Sequence, residues 1–161
     1  MKAFKYLMVF IFLNASIICL AQQESTPTDE VIVHDPVAIK SNGKYYLFCT
    51  GRGIAMFSSE DLEEWKREAP VFSKKPEWTD SVVPNFGNHI WAPDITEFEG
   101  SFYLYYSVSA FAKNTSAIGL AINKTLDVDS PDYKWEDQGI VIESIPNRDL
   151  WNAIDPNLIF D

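Results

Sequence analysis

The chain has 161 residues, 47% hydrophobic and 22% charged, a composition of one ordinary globular domain that argues against disordered, collagen-like and coiled-coil classes. Aromatic residues reach 14%, with 5 Trp, 7 Tyr and 11 Phe, a balance suited to strands and flat stacking surfaces rather than a helix bundle. The 13 Lys and Arg against 23 Asp and Glu leave a net charge of -10, and an anionic surface repels phosphate backbones, so nucleic acid is not an expected partner.

Residues 1–21 read as an export signal. Lys2 and Lys5 form the positive start, Tyr6 to Leu20 is mostly apolar, and Cys19-Leu20-Ala21 offers a small-residue cleavage site. As a membrane span the segment is short and is interrupted by Asn14 and Ser16. Lipidation at Cys19 is the other reading, which the bulky Ile17-Ile18 before it disfavours. The expected location is therefore secreted or periplasmic. Without this segment only Cys49 is left, so no internal disulfide forms, and its place in the apolar run Tyr45 to Cys49 makes it a buried small hydrophobe. Residues 22–30 carry no apolar pattern and read as a solvated linker.

From Val31 onward the chain repeats itself. His34-Asp35-Pro36, Gly43 and Tyr45-Tyr46-Leu47-Phe48 return at an offset of 57 as Trp91-Ala92-Pro93, Gly100 and Phe102-Tyr103-Leu104-Tyr105. Gly53-Ile54-Ala55-Met56 returns at an offset of 66 as Gly119-Leu120-Ala121-Ile122, and Trp65-Lys66 at 70 as Trp135-Glu136. The growing offset predicts a longer loop near Ser107 to Ser116. Ile154-Asp155-Pro156 opens a third copy.

Each copy holds about four short strand-like runs punctuated by Ser41-Asn42-Gly43 and Glu99-Gly100-Ser101, and no long amphipathic helix lies between them. One antiparallel four-stranded sheet per copy is the unit of a β-propeller, with a β-sandwich as the rival. Residues 31–161 then hold about two blades plus the first strand of a third, and Asp161 falls inside what is expected to be that strand. Propellers close with four to eight blades, so the chain is expected to be the N-terminal part of a longer protein.

Aligning Pro36, Pro93 and Pro156 compares one position in three copies, occupied by Asp35, Ala92 and Asp155. In a propeller that position opens the innermost strand and faces the central funnel. Two carboxylates at one rim suit acid and base work on glycosidic bonds. The plainer reading is an Asp-Pro turn whose side chain bonds nearby backbone.

Four strings in order, His34-Asp35-Pro36, Trp91-Ala92-Pro93-Asp94, Ser107 through Phe111 to Leu120, and Asn152-Ala153-Ile154-Asp155-Pro156-Asn157, resemble those of endo-1,5-α-L-arabinanases of glycoside hydrolase family 43. The resemblance covers essentially everything after the linker. It implies an all-β, five-bladed β-propeller and an inverting hydrolase of α-1,5-linked arabinan. Asp35 matches the family's general base. Asp155 matches the carboxylate that raises the pKa of the general acid and orients it. Trp91 and Phe111 match aromatic residues of the sugar subsites, a role that suits the C–H faces of a furanose. Asn152, Ala153 and Ile154 match a loop that touches substrate. The family's general acid is a Glu in a later blade, expected beyond Asp161, and its central His, associated with a bound ion such as calcium, lies later still. Ala112 stands where the family pattern predicts Gly. The same resemblance admits an exo-acting α-L-arabinofuranosidase or β-xylosidase, or a sugar-binding propeller without catalysis.

The remaining features predict structure. His34 and His89 lack partners at metal-ligand spacing, so no metal site is expected in this segment and they are free to hydrogen-bond near the funnel. Trp65 and Trp135 recur at matching repeat positions, which points to blade packing. Asp94 aligns with Val37 rather than Asp35 and is expected to hold local structure.

Overall fold

A computed structural model describes residues 28–159. The export signal read at 1–21 lies outside the described residues, and so does Asp161, the position expected to sit in a third blade's first strand with the general acid beyond it. The first blade is the antiparallel sheet β1 (Val37–Ser41), β2 (Lys44–Cys49), β4 (Ala55–Ser59) and β5 (Lys66–Arg67), in that order. The second is β6 (His89–Phe98), β7 (Ser101–Ser109), β8 (Ser116–Asn123) and β9 (Glu136–Ser144), with β3 (Gly51–Arg52) added on the outside of β6. Through β3 the loop leaving one blade becomes an edge strand of the next. The only helix among the described residues is α1 (Thr79–Val82), in the crossover between blades.

The repeat is visible in the turns. Ser41 pairs with Lys44 across Asn42 and Gly43, both with positive φ (50° and 85°), and Phe98 pairs with Ser101 across Glu99 and Gly100 (48° and 70°). Two successive left-handed residues make the hairpin turn whose twist matches the strands it joins, and Gly supplies one of them without a Cβ clash.

The longer loop expected near Ser107 to Ser116 is not what the extra residues build. β2 pairs with β4 up to Cys49 and Ala55, and β7 with β8 up to Ser109 and Ser116, so the connections differ by one residue, 50–54 against 110–115. Most of the insertion lengthens the two strands. The second blade therefore projects farther at this end and carries its 110–115 loop outward.

Both faces of β2 are covered, which is why its sequence is apolar throughout rather than alternating. Tyr46 and Phe48 join the main core with Met56, Ile90, Leu104, Tyr106 and Val108, a cluster that unites the blades. On the other face Cys49 packs with Ala55, Phe57 and Trp65. Burial pushes the Cys49 thiol above its ordinary range, which keeps it an unreactive hydrophobe. The two repeated tryptophans do pack: Trp65 is buried in the second cluster, and Trp135 meets the Phe48 ring edge-on at 5.9 Å. Thr28, inside the segment read as linker, exchanges both backbone hydrogen bonds with Trp65, so this residue is part of the folded unit. Among the described residues no helix is long and apolar enough to cross a membrane.

Candidate active site

The three aligned pre-proline residues share one backbone peculiarity. Asp35, Ala92 and Asp155 have φ of 49°, 38° and 54°. A residue before proline is already barred from right-handed helical backbone, and the left-handed region costs a residue with a Cβ about 1–2 kcal/mol. Such strain is held only where surrounding contacts over-determine it. At Ala92 the strain coincides with a break in register between Trp91 and Asp94, where Pro93 offers no N–H to the β6–β7 ladder. A bulge of this kind turns neighbouring side chains out of the sheet plane.

Asp35 is fixed through one of its two oxygens. His34 Nδ1 lies 2.7 Å from Oδ2, and Thr50 Oγ1 donates to the same Oδ2 at 2.8 Å. A carboxylate only accepts, so the His34 proton in this pair sits on Nδ1. Thr50 is itself anchored by its backbone N–H, which donates to the His34 carbonyl at 2.9 Å. Asp155 is held by its backbone: its N–H donates to Oγ of the fully buried Ser107 at 2.9 Å. Three residues on, the Leu158 N–H donates to Asp94 Oδ2 at 2.7 Å, so Asp94 ties the third copy to the second blade.

These residues open onto one cleft of about 510 Å³, lined by His34, Asp35, Thr50, His89, Trp91, Phe111, Ile154 and Asp155. Trp91 and Phe111 form one wall, with ring centroids 4.8 Å apart and planes tilted by 39°. Phe111 is 85% exposed at the tip of the 110–115 loop, a position that core packing does not explain.

The structure thus brings together Asp35, Trp91, Phe111, Ile154 and Asp155 of the residues singled out in the sequence. Asn152 and Ala153 do not line the cleft. Asn152 Oδ1 accepts from Ser116 Oγ at 3.3 Å, and Ala153 is buried, its N–H donating to Ser144 Oγ at 3.4 Å. These bonds secure the backbone that leads to Ile154 and Asp155. The residues that sequence reasoning missed are Thr50 and Ser107. A signal for them exists, because they stand 57 positions apart, the repeat offset itself, and both carry a hydroxyl. Among the described residues no three His, Cys, Asp or Glu side chains converge as cation ligands.

Two successive antiparallel sheets, with two carboxylates and an exposed aromatic wall on one cleft, are the blades of a β-propeller of the glycoside hydrolase type. The chain belongs to glycosyl hydrolases family 43, whose family model matches residues 25–161. It is 53% identical over 97% of its length to an extracellular exo-alpha-(1->5)-L-arabinofuranosidase of Cellvibrio japonicus, of which it covers 43%. It is 40% identical over 81% of its length to an extracellular endo-alpha-(1->5)-L-arabinanase of Bacillus subtilis, of which it covers 40%. Among solved structures, an alpha-L-arabinanase of Cellvibrio cellulosa complexed with arabinohexaose superimposes with a TM-score of 0.80 at 57% identity, over 81% of this chain and 42% of that one. The chain spans less than half the length of the curated relatives it matches. Its two blades are part of a five-bladed propeller.

Proposed function

We propose that this chain contributes the base-bearing part of an inverting hydrolase of α-1,5-linked arabinan. The observation that carries the reading is the meeting of Asp35 and Asp155 on one cleft beside the Trp91–Phe111 wall. Asp35 takes a proton from a water that attacks the anomeric carbon on the face opposite the leaving group. A carboxylic acid must protonate the leaving oxygen at the same time. Asp155 fits the role of a neighbour that keeps this acid protonated, since like charges close together disfavour a second ionisation. Asp35 and Asp155 are the only carboxylates lining the cleft among the described residues, and the resemblance to family 43 assigns the proton donor to a later blade. Trp91 and Phe111 offer flat faces for the C–H surface of a furanose ring.

Relatives named as arabinanases, and a solved relative holding arabinohexaose, support an arabino-oligosaccharide substrate. Relatives named extracellular support export. Exo action is the second reading, favoured by the name of the 53%-identical relative. In the full-length protein Asp35→Asn is expected to lower turnover of linear arabinan by about 10²–10⁴-fold while an arabino-oligosaccharide still binds. Unchanged turnover in that variant overturns the assignment. The product series at early times separates the two modes: a ladder of sizes means endo cleavage, and one short product from the outset means exo.

A further inference from the structure

The hydroxyls of Thr50 and Ser107 occupy one repeat position, just past the end of β2 in the first blade and inside β7 in the second, and both look forward to the next copy. Ala92 N–H donates to Thr50 Oγ1 at 2.8 Å, and Asp155 N–H donates to Ser107 Oγ at 2.9 Å. In each case the donor is the left-handed pre-proline residue of the following copy. A hydroxyl in one blade thus satisfies the N–H of the strained residue that opens the next. An isolated strained residue relaxes when such a bond is removed, because the backbone has lower-energy regions within reach.

Thr50 does one thing more. The Ala92 N–H can only donate, so Thr50 Oγ1 must accept there, which frees its single proton for Asp35 Oδ2 at 2.8 Å. His34 Nδ1 also contacts Oδ2. Both contacts converge on one oxygen, and no other side chain is bound to Oδ1 among the described residues.

Resting on the general-base role proposed for Asp35, we infer that Thr50 is a positioning residue that locks Asp35 Oδ2 and leaves Oδ1 as the atom that takes the proton from water. Ser107 is its counterpart one blade on, holding the backbone of Asp155. The inference concerns orientation rather than substrate contact, so it predicts a loss in kcat without a matching change in KM. Misplacing a reacting group by about 1 Å can cost on the order of 10²-fold in rate.

Thr50→Val keeps the shape of the side chain and deletes the hydroxyl, whereas Thr50→Ser keeps the hydroxyl and deletes the methyl. In the full-length protein acting on linear arabinan, kcat of Thr50→Val is expected to fall by between about 10-fold and 100-fold with KM within about twofold. Thr50→Ser is expected to stay within about threefold of the parent in kcat. A packing role gives the reverse order, with Val tolerated and Ser impaired, and that order overturns the inference. So does a Thr50→Val protein with parental kcat while Asp35→Asn is inactive, a result that leaves the base assignment standing. Parental activity in Asp35→Asn removes the base assignment and the inference with it. Thermal unfolding of Thr50→Val and Thr50→Ser, followed alongside, shows whether each variant is folded at the assay temperature. If Thr50→Val unfolds there, Thr50→Ala with the same kcat and KM measurement takes its place.

Discussion

Ala112 follows Phe111 with φ of 57°, in the loop whose tip forms one wall of the cleft. The left-handed backbone costs Ala about 1–2 kcal/mol, and Gly would escape that cost while losing about 0.5–1 kcal/mol more in unfolded-chain entropy. The first effect wins by a small margin. Ala112→Gly is therefore expected to stabilise the protein by less than about 1 kcal/mol, read as a small rise in Tm or in the urea midpoint. A fall in either would mean that the 110–115 loop does not hold this residue left-handed. At this scale the sequence was informative where one residue type implies one physics. Asp35 and Asp155 could be placed on a common rim because Asp-Pro recurred in register. Thr50 and Ser107 could not be given roles, because a hydroxyl's partner lies in the next blade and nothing local marks it.

The 145–151 loop shows how an element's charge pattern sets its response to acid. Arg148 pairs with Asp149 at 2.6 Å, and this pairing, with the Ile145 N–H at 2.8 Å, holds the Asp149 carboxyl below the usual carboxylate range. Asn114 in the 110–115 loop donates to the Asp149 carbonyl at 2.6 Å, so the 145–151 loop is tied to the loop that carries Phe111. A carboxyl whose folded pKa is lowered binds its proton more readily in the unfolded chain. Its contribution is complete above the ordinary Asp value of about 4 and is lost as pH falls through the lower, folded value. The Tm difference between the parent and Asp149→Asn is thus expected to be present at about pH 6 and to close as pH approaches about 3. A difference that persists undiminished in acid would sever the link to this carboxylate. Other element-scale features were only half legible. Gly53 and Gly119 match in the sequence repeat, yet the ladder sets Gly119 opposite Tyr106 where the first blade sets Ala55 opposite Cys49, and Gly53 lies before β4; a Cβ on Gly53 would meet the Phe72 carbonyl oxygen, while one on Gly119 would stand 2.5 Å from the Tyr106 ring. The same letter answers a backbone approach in one blade and a packed ring in the other. Strand ends were equally hidden, since a run covered on both faces shows no alternation to mark where pairing stops.

At the scale of the whole molecule the strained pre-proline position recurs once per copy, at Asp35, Ala92 and Asp155. The second position is Ala92, which cannot ionise, so the carboxylates facing the cleft among the described residues are Asp35 and Asp155. Inverting hydrolysis needs a base on one face of the sugar and an acid at the leaving oxygen, acting in the same step. A base with an orienting neighbour activates water but leaves an alkoxide with no proton, and glycosidic oxygens are poor leaving groups without one. The 161-residue polypeptide assayed by itself on linear arabinan is therefore expected to release no reducing ends above the no-enzyme rate. Sugar contact asks less, because the Trp91–Phe111 wall is complete within these residues. Titrating the same polypeptide with an arabino-oligosaccharide is expected to change its tryptophan fluorescence. Clear turnover by the 161 residues would mean that the acid lies among them, which would displace Asp155 from the orienting role proposed for it.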